Sequence, residues 1–179
     1  MADHPEVGKL YRNIQKFVDD EAAAEISRAA PLSAGAGDAE KAMWVTGISD
    51  GLERRFDEAT IKSIRMGCHC DEEGRLPEMK QWLRGLYRES SSLAEFVGKV
   101  NRHGAGWYME DGAIYTKFLT CECYMVQGVE HLDTKTWCYC TVGYTRGLFE
   151  HVFGQPVESE LVQSIKMGSE YCLVKVTPK

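Results

Sequence analysis

Six of the seven cysteines in this 179-residue chain stand in three Cys-X-Cys pairs: Cys68/Cys70, Cys121/Cys123 and Cys138/Cys140. Thiolates hold zinc and iron, commonly four around one tetrahedral metal. In an extended segment residues i and i+2 share a face, so both sulfurs of a pair can address one centre and two pairs supply four ligands. Cys121/Cys123 and Cys138/Cys140 are the expected joint centre. Cys68/Cys70 would complete it, exchange with it or cover it. Zinc is the first expectation, with iron or an iron–sulfur cluster as the alternative. The plainer reading, small buried residues in turns, is weakened by the occurrence of three pairs in one chain. Cys172, beside Leu173 and Val174 in an alternating segment, reads as a core residue.

The same thiols admit two other chemistries. A disulfide closed within Cys-X-Cys is a small strained ring and readily reduced, which suits exchange. The Cys-X-X-Cys motif that usually carries thiol redox work is absent. A hydrolase needs one activated thiol and a base. Cys140, where a helix is expected to begin, is the natural nucleophile, because the positive end of a helix favours thiolate. His69, His103, His131 and His151 are the candidate bases, although a lone histidine is more often a surface or structural residue. Glu122, Glu150 and Glu158 read as surface or packing carboxylates. Aromatic residues flank the pairs, namely Trp107, Tyr108, Tyr115, Tyr124, Trp137, Tyr139, Tyr144 and Phe149. They suit either an ordinary core or a small apolar pocket between sheet and helix.

The elements that must position these residues follow from local pattern. Leu10, Ile14, Phe17, Val18 and Ile26 recur near helical spacing from Val7 to about Ala29. A glycine- and proline-containing tract then leads to Asp38, the expected cap of a second helix. That helix is expected to run, interrupted near Gly51, to Ile64 and to stop at Gly67. Pro77 opens a third helix with Met79, Trp82, Leu83 and Leu86 on its apolar side. Ser92 and Glu95 form a capping box for a fourth, with Phe96, Val97 and Val100 inward. The stretch GWYMEDGAIYTKF reads as a hairpin around Asp111-Gly112. A short helix is predicted over Thr141–Phe153, burying Leu148, Phe149 and Val152. VESELVQSI and YCLVKV read as paired strands. The pattern is α+β: a helical half over residues 1–103, and an antiparallel sheet carrying one helix over 104–179, in a single domain spanning 1–179.

Composition narrows the partners. With 21 basic and 27 acidic residues the formal charge is −6, which argues against general binding to nucleic acid through phosphates. Lys80, Arg84 and Arg88 form one local basic stripe, of the kind that usually marks a solvated face. No apolar run reaches the ~20 residues of a membrane helix, and no signal-peptide pattern opens the chain. Cysteine-rich without an export signal, the chain is expected in the cytoplasm, where thiols stay reduced. A small-molecule ligand is the expected partner, and a homodimer is left open.

Gly143, Gly147, Leu148, Phe149 and Glu150, then Gly154, Val157, Glu158, Gly168 and Cys172, resemble the second half of the 4-vinyl-reductase-type domain. That superfamily includes small-ligand-binding and metal-binding sensor domains, and is similar in fold to haem nitric-oxide-binding domains and transport-particle subunits. CYCTVGYTRGLFEHVFG also resembles the L-2-amino-thiazoline-4-carboxylic acid hydrolase group. The three paired cysteines together most closely resemble a bacterial, mainly clostridial, family with no assigned activity. The resemblance covers about the last 45 residues and rests on fold-setting glycines and apolar positions, so it carries fold further than function. It implies a metal-binding, small-ligand-binding or sensor domain. The alternative it implies is a thiazoline-type C–N or C–S hydrolase with Cys140 as nucleophile, and a third is an interaction subunit.

Overall fold

The computed structural model describes residues 2–69 and 77–179; the expected ligand Cys70 lies outside them. Seven α-helices and four antiparallel strands are described, an α+β architecture. The chain divides into two compact units that interleave along the sequence. The first comprises Met1–His69, Glu122–Cys140 and Lys166–Gly168. The second comprises Cys70–Cys121, Thr141–Ile165 and Ser169–Lys179.

In the first unit α1 (Pro5–Phe17), α2 (Asp20–Ala29), α3 (Asp38–Arg55) and α4 (Glu58–Gly67) supply most of the regular structure. The single pattern expected from Val7 to Ala29 is two helices. Asp19 accepts the Ala22 N–H at 2.8 Å and so caps α2, a local bond that competes with continuing α1. The second expected helix likewise breaks at Phe56–Asp57 rather than near Gly51, because Asp57 accepts the Thr60 N–H at 2.8 Å. Gly37, not Asp38, is the N-cap of α3, and its N–H donates to the Glu40 carboxylate at 2.9 Å. Of the expected apolar positions, Leu10 and Ile14 of α1, Ile26 of α2, Ile48 and Leu52 of α3, and Ile61 and Ile64 of α4 are buried, whereas Phe17 at the end of α1 is exposed. Helices α1 and α4 approach closely at Gly67, where a Cβ would stand 1.9 Å from Asn13 Oδ1.

The second unit holds α5 (Pro77–Arg88), α6 (Leu93–Asn101), β1 (Tyr108–Glu110), β2 (Ala113–Phe118), β3 (Val157–Gln163) and β4 (Cys172–Pro178). It also holds all but the first two residues of α7 (Tyr139–Phe153). Strand order is β1-β2-β4-β3, every pair antiparallel. The β1–β2 turn is the expected one: Asp111 at φ 48° and Gly112 at φ 77° occupy left-handed positions that Asp-Gly tolerates. β3 alternates, with Val157, Ser159 and Leu161 inward and Glu158 and Glu160 outward, and pairs with β4 as its period requires. On α7 the expected contacts Leu148, Phe149 and Val152 are buried. They share one core with Leu83 of α5, Phe96, Val97 and Val100 of α6, Ile114 of β2 and Val176 of β4. That shared core is why the units cut across the boundary expected at residues 103/104: α5 and α6 bury their apolar faces with the sheet strands. No helix among the described residues is long and apolar enough to cross a membrane.

The start of α1 carries a pH dependence. His4, 5% exposed, caps the helix by accepting the Glu6 N–H at Nδ1 (3.2 Å) and stacks on Tyr124. Burial, then the cations Lys41 and Lys9, push its pKa below the ordinary value, against the pull of Glu6. The neutral imidazole is therefore the folded form. Its stabilising contribution is complete above about pH 6.5 and is lost as the pH falls from there through the lowered folded value. Thermal midpoints measured between pH 7.5 and 5 should fall less steeply in His4→Asn, which keeps a capping acceptor but does not titrate. Equal slopes in the two proteins would remove His4 from the account.

Candidate functional site

In the second unit the helical period of α7 places Tyr144, Thr145, Leu148 and Phe149 along one side of a cavity of about 200 Å3. Trp82 and Leu83 of α5 and Thr116 of β2 line it as well, with Trp107 and His103 from the segment after α6. The lining is apolar and aromatic. Trp82, 40% exposed, meets the edge of the His103 ring at 5.0 Å, so these two mark the solvent side. Of the two threonines, Thr116 spends its hydroxyl on the Val174 carbonyl at 3.1 Å. Thr145 does not: its Oγ1 is buried and has no hydrogen-bond partner. A helical threonine ordinarily donates to a carbonyl one turn back, and an unmet buried hydroxyl costs about 1–3 kcal/mol. Thr145 is the polar exception on an otherwise apolar stripe. Of the aromatics expected to line a pocket, Trp107, Tyr144 and Phe149 do so. Tyr108 and Tyr115 instead stack on each other along the β1–β2 pair, their centroids 4.8 Å apart.

The first unit holds a different chemistry. Arg65, next to Ile64 on the buried stripe of α4, is 1% exposed. Its guanidinium lies 3.7 Å from the centre of the Trp137 ring, and Nη2 donates to the Trp137 carbonyl at 3.2 Å. Trp44 braces that ring edge-on at 5.7 Å. Nε and Nη1 of Arg65 have no hydrogen-bond partner. Burial alone would lower the Arg65 pKa, yet the combined pull of Cys68, Cys140, Glu6 and Cys123 raises it. Sequence reading passed over this arginine. The signal was present, since Ile61, Ile64, Arg65 and Cys68 fall at i, i+3, i+4 and i+7, which puts a charge on an apolar face.

The cysteine pairs are placed as follows. Cys68 is buried at the C-terminal cap of α4 and donates its thiol to the Ile64 carbonyl at 3.3 Å. Cys123 and Cys138 are half-buried, and Cys140 is buried as the second residue of α7. All four belong to the first unit, whereas Cys121 closes a stretch of the second. Cys172, expected in the core, is half-buried at the start of β4 and accepts the Ile165 N–H at 3.3 Å. Among the described residues no group of three or more His, Cys, Asp and Glu side chains is placed to hold a metal. Of the candidate bases, His103 lines the cavity of the second unit, His131 stands 3.8 Å from Asp133, and His151 is exposed.

Fold and cavity define a class: an α+β protein whose sheet-bearing unit carries a partly open apolar cavity of small-molecule size. Over residues 1–179 the chain matches the model of a family of unknown function, DUF6144, and belongs to that family. No curated protein matches it.

Proposed function

We propose that the second unit binds a small, mostly apolar molecule carrying one hydrogen-bonding group, in the cavity beside α7. The observation that carries this reading is the buried, unpartnered Thr145 hydroxyl on the wall of an aromatic-lined cavity of about 200 Å3. A dry apolar cavity of roughly 150 Å3 already takes benzene, so a one-ring or compact two-ring ligand matches the space. The ligand's polar group would satisfy Thr145 and supply orientation, as single polar groups do in apolar pockets. The resemblance of the C-terminal residues to small-ligand-binding sensor domains points the same way.

Phenol and toluene test this directly, being nearly alike in shape and differing in one hydroxyl. By calorimetry or protein-observed NMR the wild-type chain should bind both, phenol the tighter. Thr145→Val should weaken phenol by about tenfold, the equivalent of one net hydrogen bond near the top of its usual range, and leave toluene unchanged. The same substitution should stabilise the ligand-free protein by removing an unmet hydroxyl. Failure of both probes to shift resonances of α7, or identical phenol affinity in wild type and variant, would sink the reading.

A further inference from the structure

We propose that the stacked pair Arg65 and Trp137 forms a binding site for a small carboxylate anion, taken bidentately by the buried guanidinium. The pair belongs to the first unit and shares no residue with the cavity beside α7.

Helix α4 carries Arg65 inward on the stripe that buries Ile61 and Ile64. The guanidinium keeps its charge at every accessible pH, and at 1% exposure water cannot compensate it. Trp137 meets it twice. The guanidinium carbon lies 3.7 Å from the centre of the ring, and Nη2 donates to the Trp137 carbonyl at 3.2 Å. Trp44 braces the ring edge-on at 5.7 Å. Neither contact with Trp137 supplies a full negative charge, and a buried cation without one is among the costliest arrangements in a protein. The site therefore favours an anion.

The donors select the kind of anion. A guanidinium presents five N–H protons, four of them in two paired edges that each match the two oxygens of a carboxylate. The proton given to the Trp137 carbonyl can interrupt only one edge, so a complete edge remains. Nε and Nη1 are buried without a hydrogen-bond partner, as is Nε1 of the Trp137 indole. All three are donors and none can accept, which fits a ligand whose oxygens only accept. Three carboxylates of the same unit are engaged elsewhere. Glu6 accepts from Lys9 Nζ and from the Tyr124 hydroxyl at 2.8 Å each. Glu53 accepts from the Thr136 hydroxyl at 2.5 Å. Glu58 accepts from the Tyr139 hydroxyl at 2.5 Å and pairs with Lys135 at 3.1 Å. The depth of the fork restricts the ligand to a short acid, and formate is the smallest probe of that class.

The test titrates formate, chloride and neutral formamide at matched ionic strength into the full-length reduced protein. It is read at the indole N–H resonance of Trp137, which Trp137→Phe assigns. Acid-denatured protein is first filtered and the filtrate assayed for small carboxylic acids, since an acid retained through purification would mask the titration. Formate should shift the Trp137 resonance saturably, or a stoichiometric acid should appear in the filtrate. Formamide should leave the resonance in place, and chloride, with one acceptor atom, should bind about tenfold more weakly or worse. Arg65→Lys keeps the charge without the fork and should weaken formate about tenfold. Arg65→Met should abolish both the formate response and any retained acid. If Arg65→Met does not fold, the wild-type comparison of the three probes decides alone. The phenol titration is read on α7, so the two sites stand or fall separately. Equal responses to formate and chloride, a formate response unchanged in Arg65→Met, or no response together with an acid-free filtrate would overturn the proposal.

Discussion

Phe149→Ala is expected to remove about 3–5 kcal/mol of stability. The ring is 1% exposed and packs between Trp107 and Phe153, each with its centroid 5.3 Å away. It belongs to the core that joins α5, α6, β2, β4 and α7. The loss should fall toward the upper end of that range, because the residue already borders the cavity of about 200 Å3. Neighbours that do not fill that space in the native protein have little tendency to collapse into a larger one. Against the 5–15 kcal/mol that typical domains possess, this is a large fraction. Urea unfolding followed by circular dichroism would measure it, and hydrogen exchange at β2 and α7 would localise it. Phe149→Leu, which keeps most of the volume, should cost no more than about 1.5 kcal/mol. Similar losses in the two variants would mean that the ring is not the packing centre of this unit.

Trp137→Ala should be at least as damaging in the first unit, for a different reason. Truncating a buried indole costs about 3–5 kcal/mol through lost burial alone. Here the ring, 2% exposed, is also the face against which the Arg65 guanidinium rests. A desolvated cation–π contact contributes about 2 kcal/mol, and its loss leaves a buried cation facing a void. Trp137→Phe retains an aromatic face and should recover a substantial part of the stability. The double variant Trp137→Ala/Arg65→Met should lose less than the sum of the single losses, since removing the charge also removes the need for a ring beneath it. Strict additivity in denaturant unfolding would show that the two side chains are energetically independent despite their 3.7 Å approach.

Both pairs of substitutions act where the chain carries its chemistry, and the two places were legible to different degrees. Asp111-Gly112, the alternation of β3, the pairing of β3 with β4 and the Leu148–Phe149–Val152 face of α7 could all be read in advance. Turn chemistry and period act over a few residues and do not depend on the rest of the molecule. The breaks before Asp19 and Asp57 were missed, because a capping aspartate inside a continuing apolar pattern looks like any surface carboxylate until its partner N–H is seen.

Function-bearing features depended on contacts far apart in sequence. The cysteine spacing drew attention to Cys140, and the start of a helix there was foreseeable. The buried Arg65 cation comes from α4 and rests on Trp137, 72 residues further along the chain. The cavity likewise draws its lining from α5, β2, α7 and the segment after α6. Local sequence could announce only that Arg65 and Thr145 are polar intruders on apolar stripes. Whether such an intruder finds a partner is settled by the elements packed against it, and here the fold leaves two guanidinium nitrogens and one hydroxyl without a protein hydrogen bond. Burial strips their water and supplies nothing equivalent, and at Thr145 that imbalance is the physical basis for the ligand-binding reading.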